Sequence, residues 1–222
     1  MCASQVKALS RIQRIHERVY NELAQTYENR INADIDTFLV DSVLKHLDKR
    51  FKAPIKVIEV GPGVGSVLKL FEERKHRTLG VELCEKMAEL TAKRSPNSFI
   101  IQSDFLALKF PSESFHIVYA GALIHLFPKA WALKILAKFR HMLKEDGLLF
   151  VNTTIHERPS EGFAEKYDCE EHPRRFRKQW TEIELREAVE GNDFIILESL
   201  YRETGSKRWL GLICKAEKSH AR

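Results

Sequence analysis

Lys56-Val57-Ile58-Glu59-Val60 runs straight into Gly61-Pro62-Gly63-Val64-Gly65, and Ser66-Val67-Leu68-Lys69-Leu70-Phe71 follows with apolar residues at helical spacing. β-Branched residues ahead of three alternating glycines read as a buried strand entering a tight turn, with a helix opening directly after it. Such a turn presents bare backbone N–H groups and the positive end of a helix to whatever lies against it. Glycines also make ordinary turns, so a second signal is needed. Thr78-Leu79-Gly80-Val81 is another apolar run, and it ends in Glu82. A carboxylate about twenty residues beyond the turn stands where the ribose hydroxyls of an adenosine-containing ligand are read.

The glycine spacing narrows the ligand. Dinucleotide sites commonly use Gly-x-Gly-x-x-Gly, with a diphosphate docked on the turn. Here the glycines alternate, and Glu59 stands two residues before the first of them. A carboxylate there repels a diphosphate and attracts an amine or a sulfonium. A nicotinamide dehydrogenase is therefore disfavoured. Glu59-Val60-Gly61-Pro62-Gly63-Val64-Gly65 resembles the first motif of the class I S-adenosylmethionine-dependent methyltransferases, and Glu82 resembles their acidic second motif. The likeness is greatest to the small-molecule group that includes the ubiquinone and menaquinone C-methylases.

That resemblance implies roles residue by residue. Gly61, Gly63 and Gly65 let the backbone approach the methionine and ribose parts of S-adenosylmethionine, Glu59 faces its amino group, and Glu82 accepts both ribose hydroxyls. In Gln102-Ser103-Asp104-Phe105, Asp104 accepts from the adenine amine, and Phe105 or Leu83 covers a ring face. Ala120 and Gly121 pass beside the sulfonium. The first helix, with Tyr20 and Tyr27, folds over the cofactor as a lid. His125 and His156 are the candidate bases for a proton on the acceptor. Each has a plainer structural alternative: a loop cap for Asp104, a satisfied polar group for His125. His116 occupies a position that is Asp in many relatives and usually structural.

The rest of the chain agrees with an α/β fold. Val6, Leu9, Ile12, Ile15, Val19, Leu23 and Tyr27 predict an amphipathic helix over 6–27. Ile35, Phe38, Leu39, Val43 and Leu47 predict a second over 34–49, facing inward. Strand and helix then alternate. Strands fall at 55–60, 77–82, 98–102 and 114–120, helices at 65–74 and 84–94. A helix begins at Pro128, and a strand follows over 148–153. Thr181 to Glu184 reads as a helix N-cap, and strands near 194–200 and 208–215 form an antiparallel hairpin around Gly205. The expected architecture is a Rossmann-like, doubly wound, seven-stranded sheet, mostly parallel, with an antiparallel C-terminal hairpin strand.

One domain over 1–222 is expected: a helical lid at 1–50, a cofactor-binding core at 51–154, an acceptor-site loop at 155–180, and a closing helix and hairpin at 181–222. The 155–180 stretch is polar and lacks a clear period. Its Glu157, Tyr167 and Arg175 join His156 as acceptor-pocket candidates.

Composition bounds the partners. The chain has 222 residues and a formal net charge of +5. No apolar run is long enough to cross a membrane, and Met1 to Lys7 has no signal-peptide core, so a cytoplasmic location is expected. Four scattered cysteines suit free thiols, and Cys169 with His172 is too small a set for a metal. The basic runs Lys49-Arg50-Phe51-Lys52 and Arg174-Arg175-Phe176-Arg177-Lys178 read first as solvated faces. They also keep an RNA methyltransferase open as an alternative to a small-molecule acceptor. A non-catalytic cofactor-binding protein of the same fold is the third reading. Tyr119-Ala120-Gly121-Ala122 does not resemble an Asn-Pro-Pro-Tyr motif, which argues against a base amine as acceptor.

Overall fold

A computed structural model describes residues 3–31, 37–165 and 173–217. Helix α1 spans Ala3–Ile31 and α2 spans Thr37–Asp48. Then come β1 (Lys56–Val60), α3 (Ser66–Glu73), β2 (Arg77–Glu82), α4 (Glu85–Arg94), β3 (Phe99–Gln102) and β4 (Phe115–Gly121). A single 3-10 turn at Ile124–Leu126 leads to α5 (Lys129–Met142) and β5 (Leu143–Ile155). The chain continues through β6 (Ser160–Glu165), β7 (Arg174–Gln179), α6 (Glu182–Glu190), β8 (Phe194–Thr204) and β9 (Lys207–Ala216).

Seven strands form one sheet in the order β3-β2-β1-β4-β5-β9-β8. The first five are parallel, and β9 runs antiparallel to both β5 and β8. The expected architecture is therefore observed. Period-two alternation feeds two cores. Val57, Ile117, Leu148 and Ile213 pack with α2 and α3 on one face. Ile58, Val118, Leu149 and Leu212 pack with α5 and α6 on the other. A parallel sheet covered on both faces needs this double burial.

The order of the strands places the site. β1 and β4 are neighbours, yet α3 and α5, the helices that follow them, cover opposite faces. A crevice opens at the carboxyl ends of β1 and β4, the topological switch point where ligands bind in such sheets. Gly61 and Gly121 lie at its two sides.

Three expectations change. Residues 155–180 are not all loop: β6 and β7 pair as a separate antiparallel ribbon, with Phe163 opposite Phe176. The basic run of β7 is not a solvated face, because Arg175 is fully buried and Lys178 is 5% exposed. Phe38 does not point inward; it is 57% exposed. Ile35, Tyr167, Cys169 and His172 lie outside the described residues. His116 is structural, as its position suggested: Nδ1 accepts the Lys56 backbone N–H at 2.9 Å, and the ring meets Phe51 edge to face.

Candidate active site

A cavity of about 570 Å³ occupies the crevice, within the usual range for small-molecule sites. Its floor is the carboxyl edge of the sheet, and α1 and β7 form its roof. Polar ties hold α1 in place: Arg94 pairs with Glu28 at 2.6 Å, and Asn21 Oδ1 accepts the Lys86 N–H at 3.0 Å. On the other side the Arg177 guanidinium donates to the Tyr20 hydroxyl at 3.1 Å.

Glu82 organises one end of the cavity. Its Oε2 accepts the Gly63 N–H and its Oε1 the Cys84 N–H, each at 3.0 Å. Each carboxylate oxygen keeps a further lone pair for a ligand hydroxyl. Burial raises the Glu82 carboxyl above its ordinary range, and these N–H donors oppose the shift. Gly63 has φ of +60°, and a Cβ built there would meet nothing within 4 Å. The turn thus bends away from protein and forms an open cradle beside the Glu82 carboxylate.

The other sequence-derived residues divide. Gly61, Leu83, Asp104, Phe105, Tyr27, His125 and His156 all line the same cavity as Gly63 and Glu82. Asp104 also caps its own loop, with Oδ1 accepting the Leu106 N–H at 2.9 Å, so the plain alternative and the lining position hold together. Phe105 packs against Phe110 and Phe139, with the Lys138 ammonium 4.4 Å from its ring centre. His156 Nε2 lies 3.2 Å from the Thr154 hydroxyl.

The acceptor candidates Glu157 and Arg175 fall outside the lining, and so do three cofactor candidates. Ala120 is fully buried in the core, and its neighbour Gly121 takes the wall position. Gly65 has φ of +80°, and a Cβ there would sit 2.9 Å from Thr91 Cα, so it serves helix packing against α4. Glu59 lies under the start of α3, with the Leu68 N–H against its carboxyl. Burial, and then the nearby Glu82, push that carboxyl up to about 8. Its Oε2 has no hydrogen-bond partner.

The cavity also holds residues not singled out from the sequence: His16, Ala122, Arg177 and Trp209. Gln13, His16, Tyr20 and Tyr27 recur at helical steps on α1, a stripe beside the apolar one that was the available signal. Ala122 has φ of +51°, with its N–H held by Asn152 Oδ1 at 2.6 Å. A left-handed non-glycine residue at a site is a strain of about 1–2 kcal/mol. Among the described residues no three His, Cys, Asp or Glu side chains gather as metal ligands would, and no helix is long and apolar enough to cross a membrane.

Residues 58–151, the strands and turns that build this cavity floor, match the family model of a methyltransferase domain. Over this stretch the chain is similar to methyltransferase domains. Solved structures share its fold along nearly the whole chain. The 1,6-didemethyltoxoflavin-N1-methyltransferase of Burkholderia thailandensis, crystallised with 1,6-didemethyltoxoflavin and S-adenosylhomocysteine, is 15% identical with a TM-score of 0.74. It covers 98% of this chain and 92% of its own. The magnesium protoporphyrin IX methyltransferase of Synechocystis, with bound S-adenosylmethionine, is 14% identical with a TM-score of 0.71. The match covers 92% of this chain and 97% of that one. The [4+2]-cyclase SpnF is also similar, at 12% identity and a TM-score of 0.62, covering 81% and 80% of the two chains. Likeness at these identities is one of fold, which does not set the reaction. No curated protein matches the chain by sequence.

Two expected results follow from this geometry. Gly63→Ala fills the open space of the cradle without meeting protein, and its left-handed backbone costs about 1–2 kcal/mol. It is expected to lower affinity for S-adenosylmethionine about tenfold or more in a calorimetric titration while the protein stays folded. His16 supplies the second. Burial, and then Arg177 and Arg175, press its pKa down to about 3. The folded protein leaves this ring neutral while the unfolded chain protonates it below about pH 6.5. The unfolded state then binds the extra proton, so stability falls on acidification from about pH 6.5 toward pH 3, by up to about 1.4 kcal/mol per pH unit. In urea unfolding, His16→Gln is expected to flatten that slope by about one proton.

Proposed function

We propose that the protein transfers the methyl group of S-adenosylmethionine to a small-molecule acceptor. The carrying observation is that one cavity is lined both by the Gly63–Glu82 cradle and by side chains of α1, β7 and β9. We assign Gly61, Gly63, Glu82, Leu83, Asp104 and Phe105 to the donor and His16, Tyr20, Phe127, His156, Arg177 and Trp209 to the acceptor. Gly121 and Ala122, at the end of β4, line the same cavity, and we assign the meeting of donor and acceptor to them.

S-adenosylmethionine supplies an electrophilic methyl on a sulfonium. The protein's task is to align an acceptor atom with that methyl and to keep water away. The Glu82 carboxylate and the Gly63 backbone hold the donor end. The α1 helix and the β7 strand exclude solvent above it. His125, buried in the 3-10 turn, and His156, at the end of β5, are the bases within the cavity for an acceptor that must lose a proton. The resemblance to the quinone C-methylases puts aromatic ring acceptors first in a screen. Cys84 and Cys214 are free buried thiols and suit the cytoplasmic location we assign to the enzyme.

An RNA acceptor is the second reading, and burial weighs against it. Within the strongest basic run, Arg174 to Lys178, Arg175 is fully buried and Lys178 is held by Glu184 at 2.7 Å. A test uses methyl-labelled S-adenosylmethionine with a small-metabolite extract and, separately, with total RNA. Label is expected in a small-molecule product; label in RNA alone would overturn the proposal.

A further inference from the structure

The acceptor half of the cavity carries an uncompensated positive charge. Arg177 extends from β7 into the lining. Its Nη2 donates to the neutral Tyr20 hydroxyl at 3.1 Å, while Nε and Nη1 are buried with no hydrogen-bond acceptor. No carboxylate among the described residues pairs with it. Lys178, by contrast, is neutralised by Glu184. Arg175, fully buried, lies over the Tyr20 ring, 5.2 Å from its centre. His16 stacks on the Tyr20 ring, 5.9 Å between centres. The described lining has one carboxylate on this half, Glu165, placed opposite Arg174 at the outer end of the ribbon.

Buried guanidinium donors without acceptors are costly, and proteins keep such groups chiefly where a ligand completes them. Arginine in particular suits the planar, two-oxygen geometry of a carboxylate. Tyr20, Phe127 and Trp209 supply apolar surface for the rest of the molecule. We propose that the methyl acceptor is a small aromatic carboxylate whose anionic group docks on Arg177, with its ring among Tyr20, Phe127 and Trp209. The inference rests on the methyltransferase reading of the same cavity.

The test compares acids with their uncharged counterparts. Wild-type protein saturated with S-adenosylhomocysteine is titrated with benzoate, 4-hydroxybenzoate, 2-naphthoate and indole-3-acetate, and with the primary amide of each. At least one acid is expected to bind about tenfold or more tightly than its amide, the worth of a charge-assisted hydrogen bond. Arg177→Met and Arg177→Gln are expected to erase that preference and leave S-adenosylhomocysteine affinity unchanged. Their melting temperatures are expected to hold or rise without ligand, because an unpaired buried charge is gone. Normal S-adenosylhomocysteine binding with no acid preferred over its amide would overturn this inference alone. A preference that survives in both variants, or a fall in melting temperature in both, would also overturn it. Failure of S-adenosylhomocysteine to bind would remove the methyltransferase reading itself.

Discussion

Replacing Glu82 with alanine is expected to weaken S-adenosylmethionine binding on the order of a hundredfold, because two hydrogen bonds to a charged acceptor are lost. The geometry behind this is double. Glu82 stands at the end of β2 with free lone pairs facing the cavity, and it also ties down the Gly63 and Cys84 N–H groups. Alanine therefore slackens the glycine turn and removes the oxygens that we propose meet the ribose. Glu82→Gln keeps one acceptor oxygen and most of the shape, so it should lie between wild type and alanine. Both variants are expected to remain folded, as read by far-ultraviolet circular dichroism, since the cores above and below the sheet do not include this side chain. Near-normal affinity in Glu82→Ala would refute the placement of the ribose.

Gly65→Ala is expected to damage the fold itself. Its left-handed φ of +80° costs an alanine about 1–2 kcal/mol, and the added methyl would stand 2.9 Å from the Thr91 Cα. That atom is α4 backbone and yields only if the helix shifts, an overpacking cost of about 1–3 kcal/mol. A total of roughly 3 kcal/mol would lower the melting temperature of a chain this size by about 6–12 °C. Gly205→Ala is the control: its φ is +57°, but nothing lies within 4 Å of an added methyl, so only the backbone cost applies. Equal melting temperatures for the two variants would show that Gly65 is kept for its φ alone and not for helix packing.

The contrast between Gly63 and Gly65 shows how far the residues alone could be read. Three alternating glycines announced a turn between strand and helix, and the turn is there. One glycine opens toward the cavity and another lets two helices meet, and only the position of α4 separates these roles. Glu82 was legible because its distance from the turn in sequence matches one strand–helix–strand unit. Glu59 was read toward the ligand, whereas the structure sets it beneath the first turn of α3. The sheet order followed from alternating strand and helix patterns with apolar runs of ordinary length. The β6–β7 ribbon did not follow, because its inward positions include Arg175 and Lys178, which no hydrophobic pattern marks. His16 and Arg177 were obscured for the same reason: each lies in a polar setting that looks like surface until α1 is folded onto β7.

The central claim is that this cradle holds S-adenosylmethionine. The most direct measurement is a calorimetric titration of the purified protein with S-adenosylmethionine and, separately, with NADH. Micromolar binding of S-adenosylmethionine, with no heat from NADH, is the predicted result. Absence of S-adenosylmethionine binding, or saturable binding of NADH in its place, would contradict the account.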